Sequence, residues 1–226
     1  AKVYWLSGMP DTAEHMKEGE RYLSQVVSRY KDSPALDTWI LINEPRHTPA
    51  DNPLAMQRFR IWLRQKYGSV DALNRAWLLD SMVPFRPLYS SFEEVEYNPR
   101  WFSSTQAWHI PSLDWLAFWR DHLTWYLSWI AEQVRKIDPN HPLHVNPTPL
   151  SSNLASHSLD LPAWRPFLSS LGFSAYPQRS LLPLFPPGRH ALGFSYSMDL
   201  AYGAIEPKPA WVTELPGGPL VRGFPQ

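Results

Sequence analysis

Apolar residues recur along the chain with two different periods. Three stretches repeat them every three or four positions, the period of an amphipathic helix; they are residues 13–31, 54–67 and 112–137. Short runs rich in β-branched, aromatic and aliphatic residues lie between these stretches and predict strands; they are residues 3–9, 38–45, 141–146, 171–176 and 210–215. Because strands and helices alternate, the pattern predicts an α/β fold with a parallel sheet.

Other segments give weaker signals. Ser69 follows a helix-ending Gly68 and can cap a second helix over residues 70–78. Residues 160–168 predict a short helix, and residues 190–204 are compatible with a helix or a loop. The aromatic and proline-rich residues 79–111 show no period and predict a long loop, after which Ser112 is expected to cap the longest helix.

The strands share one feature, which is that each clear one ends in polar residues just before a loop. These residues are Asn43 and Glu44, then Asn146, Tyr176 and Glu214. In a (β/α)8 barrel the chemistry lies at the carboxyl ends of the strands, so this pattern favours a barrel. The alternative, a doubly wound open sheet, typically has a glycine-rich phosphate loop after its first strand, and the sequence contains none.

Composition narrows the classes of partner and cofactor. The chain has 226 residues, enough for one domain, and its 21 basic and 21 acidic residues leave a net charge of zero. That balance argues against nucleic acid or an anionic membrane surface as partner. The sequence has no apolar run long enough to cross a membrane, and its lack of cysteine excludes disulfides, thiolate nucleophiles and cysteine-bound metals. We expect a cytoplasmic protein without a cofactor.

Tryptophan occurs 12 times and proline 24 times, which is unusual for a folded chain of this size. Tryptophan-rich clefts often stack on the apolar faces of sugar rings. The alternative is that these side chains fill a core, and for any single tryptophan we favour the core.

Two carboxyl groups across a scissile bond are what glycosidic cleavage requires. Glu44 and Glu214 suit this role because each ends a β-rich run, whereas Asp199 and Glu206 are less well placed. The structural alternative is that each glutamate caps a helix or pairs with an arginine. Their contexts, Asn-Glu-Pro and Trp-Val-Thr-Glu, favour the functional interpretation.

Other chemistries find little support. The sequence has no Gly-x-Ser-x-Gly motif for a nucleophilic serine and no His-Glu-x-x-His motif for zinc. His141 and His144 are three apart on one expected strand, so they should lie on opposite faces and are poor joint ligands. No metal site is therefore expected.

The ordered motifs resemble the clan A glycoside hydrolases. Asn43-Glu44-Pro45 resembles the fourth-strand motif of that clan, and Trp211-Val212-Thr213-Glu214 resembles the seventh-strand motif. Within the clan, the segment between them is similar to family 42 β-galactosidases; the similar stretches are Phe59–Gly68, Val70–Trp77, Phe92–Val95, Leu113–Trp115 and Glu214–Gly218.

The resemblance implies a fold and a site. The fold is an incomplete (β/α)8 TIM barrel, from about strand 3 to strand 7, with residues 46–111 inserted after strand 4 and the whole chain, 1–226, forming part of one catalytic barrel. Glu214 would be the nucleophile, Glu44 the acid/base, and Asn43 the ligand of the sugar 2-hydroxyl. Tyr176 would hydrogen-bond the nucleophile, and Asn146 and Trp211 would line the pocket.

The resemblance also implies an activity, the retaining hydrolysis of terminal β-galactosides. The substrate would be a β-galactoside or an oligosaccharide. Because members of that family commonly form trimers, the resemblance also implies a homo-oligomer. Two alternatives remain open. One is another clan A specificity, for glucosides, mannosides or arabinopyranosides, and the other is a non-catalytic carbohydrate-binding barrel.

Overall fold

The computed structural model describes residues 6–7, 12–48, 53–78, 88–102, 109–148, 150, 154, 157–176 and 190–215. In chain order, its elements are β1 (Leu6–Ser7), α1 (Ala13–Tyr30), β2 (Trp39–Asn43), β3 (His47–Thr48), α2 (Pro53–Tyr67), α3 (Val70–Ala76), 3-10 helices Phe92–Glu94 and Pro99–Phe102, α4 (His109–Ile137), β4 (Leu143–Asn146), α5 (Leu161–Trp164), β5 (Ser170–Ser174), α6 (His190–Ile205) and β6 (Ala210–Glu214).

The main sheet has four strands in the order β2–β4–β5–β6, and every neighbouring pair is parallel. Strand order follows chain order, and helices α4, α5 and α6 lie between successive strands in the chain. This is the repeated βα unit of a barrel wall. A separate parallel pair joins β1 to β3, just beyond β2 in the chain. The rest of the expected strand 3–9 lies outside the described residues.

Helices cover one face of the sheet and form the main core with it. Strand residues Leu143, Val145, Leu171 and Phe173 are buried in this core with residues of α1, α4, α5 and α6. Alternate residues of a strand point to opposite faces, so the residues between these point to the other face, the barrel interior.

A second core forms in the segment after β3. Residues of α2, α3 and the 3-10 helices pack on the first half of α4 in a largely aromatic cluster. Trp77, Trp101, Trp115 and Trp119 are all buried there. These four tryptophans therefore serve the core rather than a sugar-binding cleft.

Asp114 fastens the helix pair α2–α3 to α4. Its buried carboxylate accepts hydrogen bonds from Tyr67 (2.7 Å) and Trp77 (2.8 Å) and pairs with Lys66 at 2.6 Å. Burial, together with the Asp114 carboxylate, raises the pKa of Tyr67. A buried carboxylate with three donors is well satisfied, so the contact is stabilising.

A second buried carboxylate, that of Asp138, holds β2 in place. The Asp138 carboxylate, at the end of α4, accepts the Trp39 indole N–H at 2.8 Å and lies 2.7 Å from the His141 ring nitrogen. It also accepts the backbone N–H groups of Asn140 and His141. Burial alone would raise the pKa of Asp138, but these hydrogen bonds outweigh it and lower the pKa to about 2.

Two expectations from the sequence need correction, and one alternative that it left open is decided. The long helix begins at His109 rather than Ser112, because Pro111 falls in its first turn, where a missing N–H costs nothing. Residues 190–204, for which the sequence left a helix and a loop both open, lie in the helix His190–Ile205. The expected loop 79–111 contains the two 3-10 helices, while residues 79–87 and 103–108 lie outside the described part.

Candidate active site

Four of the expected site residues meet at the carboxyl ends of the parallel strands. The Asn146 amide donates to Asn43 Oδ1 at 2.7 Å and to Glu214 Oε1 at 3.2 Å. The Tyr176 hydroxyl donates to the other oxygen of the same carboxylate, Glu214 Oε2. Residues from β2, β4, β6 and the end of β5 are thereby joined in one hydrogen-bonded network. Both oxygens of Glu214 are held from the protein side.

The expected acid/base, Glu44, directly follows this network. Its backbone N–H donates to the Asn146 carbonyl at 2.9 Å, which extends the β2–β4 ladder by one residue. Its φ of 48° lies in the left-handed region, which is uncommon for a non-glycine residue. Such a conformation costs about 1–3 kcal/mol and tends to occur at functional sites. The half-buried Glu44 carboxyl has no hydrogen bond or ion pair to any described residue.

Both strands that carry the glutamates contain one extra residue just before them. Ile40 pairs with His144 and Asn43 with Asn146, so β2 advances three residues while β4 advances two. In the same way, Phe173 pairs with Val212 and Ser174 with Glu214, so β6 advances two residues while β5 advances one. Extra residues of this kind re-aim side chains and are common beside active sites.

A hydrogen-bonded histidine lies one layer below the carboxylates. His144, which is 1% exposed, has Nδ1 2.8 Å from Ser170 Oγ and Nε2 2.9 Å from Thr213 Oγ1. Burial lowers its pKa to about 4, so the ring is neutral at neutral pH. Gly172 gives the ring room, because a Cβ there would lie 2.6 Å from Nε2.

Trp211 lies apart from the network. Its ring is 42% exposed, and its centroid is 5.4 Å from that of His144. Trp211 pairs with Gly172 of β5. It precedes Glu214 by three residues along β6, a separation of about 10 Å at the usual rise per residue. The structure thus places Trp211 in a lower layer of the barrel interior, and its role in substrate binding stays a prediction.

The less favoured carboxylates lie elsewhere. Asp199 is on α6, and Glu206 follows that helix at the amino end of β6, both exposed. Within the described ranges, no group of three or more histidine, aspartate and glutamate side chains is arranged to hold a metal ion. His47 and His122 form a buried pair with ring nitrogens 3.0 Å apart, packed on Trp119.

Sequence reasoning did not foresee the layer formed by His144, Ser170, Gly172 and Thr213. These residues are far apart in the chain, and none belongs to a recognisable motif apart from Thr213. The strand alternation does place His144 on the same face as Asn146. That signal could have pointed to an interior histidine, but not to its partners.

Comparison with known proteins identifies the family. The profile of the glycoside hydrolase 42 β-galactosidase family matches residues 9–221. The chain belongs to this family. A β-galactosidase from Arthrobacter sp is 28% identical over 205 residues, which cover 90% of this chain and 27% of that protein.

Solved structures of a β-galactosidase and of a family 42 exo-carrageenase share the fold. The β-galactosidase of Rahnella sp. R3 superposes with a TM-score of 0.74 at 21% identity, covering 89% of this chain and 28% of that one. An exo-carrageenase of family 42 from Bacteroides ovatus gives a TM-score of 0.65 at 22% identity, covering 87% and 28%. The family 42 chain described here thus spans a little over a quarter of the length of these relatives.

These likenesses confirm the predicted partial (β/α)8 barrel. Strands β2, β4, β5 and β6 are the consecutive parallel strands that the sequence assigned to positions four to seven of the barrel. None of the helices in the described part of the chain is both long enough and apolar enough to span a membrane.

Proposed function

We propose that the full-length protein is a retaining β-galactosidase in which Glu214 is the nucleophile and Glu44 the acid/base. The observation that carries the proposal is the network at the carboxyl ends of the strands, where Asn146 and Tyr176 hold both oxygens of Glu214. Family membership supports the substrate class.

The geometry suits nucleophilic attack. A carboxylate whose two oxygens are both hydrogen-bonded keeps one orientation, so little freedom is lost when it reaches the anomeric carbon. Glu214 would attack that carbon, forming a covalent bond as the bond to the leaving oxygen breaks. Water would later cleave this glycosyl-enzyme and release the sugar.

Glu44 suits proton transfer for the opposite reason. Because none of the described residues occupies its carboxyl group, the group is available to the leaving oxygen and then to water. Its proton would go to the departing oxygen in the first step and would be recovered from water in the second. The left-handed backbone at Glu44 supports a functional role, since a strained residue of this kind needs a reason to persist.

Asn43 suits recognition of the sugar. Its side-chain oxygen already accepts a hydrogen bond from Asn146, which fixes the amide orientation. The two N–H donors of Asn43 are thereby aimed away from Asn146 and can reach a substrate hydroxyl, which the family resemblance identifies as the 2-hydroxyl. The exposed position of Asn43 supports this contact.

Hydrolysis of a panel of aryl β-glycosides by the full-length protein tests the proposal. The panel includes the galactoside, glucoside, mannoside and arabinopyranoside, with carrageenan oligosaccharides as a further substrate. We expect the galactoside to be cleaved fastest. Glu214→Ala should lose at least about 10³-fold in kcat, whereas Asp199→Ala, on an outer helix, should retain wild-type rates.

Azide then separates the two glutamates. With an activated galactoside, azide should rescue Glu44→Ala and give the β-glycosyl azide, because attack occurs on the covalent intermediate. With Glu214→Ala it should give the α-glycosyl azide, because azide replaces the nucleophile. Preference for another glycoside would change the specificity, and sugar binding without any turnover would favour a non-catalytic barrel.

A further inference from the structure

Thr213 and Glu214 are neighbours in β6, yet both point into the barrel interior. Thr213 contacts His144, and Glu214 contacts Asn146. His144 and Asn146 are two residues apart on β4 and so share a face. In a regular strand, adjacent residues point to opposite faces. The direction in which Glu214 points therefore depends on the irregularity in β6.

That irregularity is the extra residue, Thr213. Val212 pairs with Phe173 and Glu214 with Ser174, so Thr213 has no partner in the β5–β6 register. An extra residue is left out of the ladder and needs other contacts to hold it. The contact that the structure shows is from its side chain, with Oγ1 2.9 Å from His144 Nε2.

His144 is itself held firmly. Its other ring nitrogen lies 2.8 Å from Ser170 Oγ, and the ring is almost completely buried. It packs over Gly172, where any side chain would collide with it and with Thr213. One ring therefore joins β4 to β5 and β6 directly beneath the proposed nucleophile.

We propose that His144 is a positioning residue, which holds the extra residue Thr213 and thereby fixes the orientation of Glu214. This inference rests on the proposed role of Glu214 as the nucleophile. His144 is not expected to touch the substrate, because it lies one layer below the carboxylate network.

The hydrogen-bonding capacity of the cluster supports this role. A neutral imidazole offers one donor and one acceptor, and each hydroxyl can serve as either. The chain Ser170–His144–Thr213 is therefore satisfied in both tautomers of the ring. Its burial lowers the pKa of His144 to about 4, so the arrangement persists at neutral pH.

A trapping experiment separates positioning from a simple packing role. A 2-deoxy-2-fluoro-galactosyl fluoride forms a stable covalent adduct as the Glu214 carboxylate bonds to the anomeric carbon and fluoride leaves. The first-order rate constant of trapping is a property of each folded molecule. A partly unfolded sample lowers the amplitude of trapping but not its rate constant.

Three variants of the full-length protein are compared. Thr213→Val removes the hydroxyl at nearly constant shape, and His144→Phe removes both ring nitrogens. Val145→Ala is the control, because Val145 lies between His144 and Asn146 but faces the helical core. We expect trapping to slow by about 10- to 100-fold in the first two variants, and to stay within about twofold in the control.

The double variant of His144 and Thr213 should trap about as slowly as the slower single variant, because both changes break the same contact. If the two single variants trap at the wild-type rate and only lose thermal stability, as Val145→Ala does, His144 is a core residue and the inference is wrong. Should His144→Phe fail to fold, Thr213→Val carries the test.

Failure of the proposed function can be distinguished from failure of the positioning role of His144. If the wild-type protein is not trapped and cleaves no glycoside, the β-galactosidase assignment fails. The crystal structure of Thr213→Val then decides the inference. Loss of the hydrogen bond from Asn146 to Glu214, 3.2 Å in the wild-type structure, supports the positioning role, and its retention contradicts it.

Discussion

Gly172 is the position at which the smallest possible change should disturb the site most. A methyl group there would lie 1.9 Å from Thr213 Oγ1 and 2.6 Å from His144 Nε2. Both distances are far below van der Waals contact, so Gly172→Ala requires the two side chains to separate. Overfilling a core in this way costs about 1–3 kcal/mol, and the lost hydrogen bond adds about 0.5–1.5 kcal/mol.

We therefore expect Gly172→Ala to lower the free energy of unfolding by about 1.5–4.5 kcal/mol. Urea unfolding followed by tryptophan fluorescence measures this. Gly203→Ala is the matched control, because a methyl group at Gly203 meets no atom within 4 Å and the residue lies inside helix α6. That change should raise stability by about 0.5–1 kcal/mol.

A second background tests the cause. In Thr213→Ala the nearest atom is absent, so adding Gly172→Ala should cost at least about 1 kcal/mol less than it does in the wild type. The reasoning is refuted if Gly172→Ala is as stable as the wild type, or if its cost is unchanged in the Thr213→Ala background.

Three further predictions concern stability. Trp39→Phe should lower the free energy of unfolding by about 1.5–3 kcal/mol, because it removes the indole N–H that donates to Asp138. The pKa of Asp138, about 2 in the wild type, should then rise, so acid unfolding should begin at a higher pH. Trp125→Phe, at an exposed ring, should change neither the stability nor the pH of acid unfolding. The pKa of His144 is about 4 in the folded protein and higher in the unfolded chain, so between pH ~6.5 and ~4 only the unfolded chain binds the proton. As the pH is lowered through this range, His144 should therefore reduce the free energy of unfolding by about 1.4 kcal/mol per pH unit. His144→Gln should abolish this slope. Asp114→Ala should lower the free energy of unfolding in urea by about 2–4 kcal/mol, because it leaves the Trp77 indole N–H and the Tyr67 hydroxyl without their acceptor; a loss below about 1 kcal/mol would contradict that account.

The hydrophobic pattern was sufficient for most elements of the wall. Strands β2, β4, β5 and β6 and helices α1, α2 and α4 lie within a few residues of their predicted bounds, because each carries its own period and its own end signal. Segments without such a signal were harder to assign to a helix or a strand from the sequence. The helix over residues 190–205 is so uniformly apolar that its sequence shows little periodicity, and its packing against β5 and β6 determines it.

For the candidate site too, the sequence predicts some features and only the structure shows the others. The pattern of strands ending in polar residues was enough to select Asn43, Glu44, Asn146, Tyr176 and Glu214, because parallel strands bring their carboxyl ends together. The structure joins four of these in one network and places Glu44 next to it. Trp211 was selected from the same motif as Glu214, but it lies in a lower layer because three residues of strand separate the two.

Local sequence thus determined most of the segments that become strands and helices, and which polar side chains reach one end of the sheet. Only the tertiary structure decided the direction of those side chains. Strict alternation along β6 would have pointed Thr213 and Glu214 to opposite faces, and the pairing with β5 overrides it through one unpaired residue. Whether a residue is paired or left out depends on a neighbouring strand some 40 residues away in the chain. A histidine, a glycine and a threonine then fit together because the fold brings three strands side by side, a contact that no local pattern encodes.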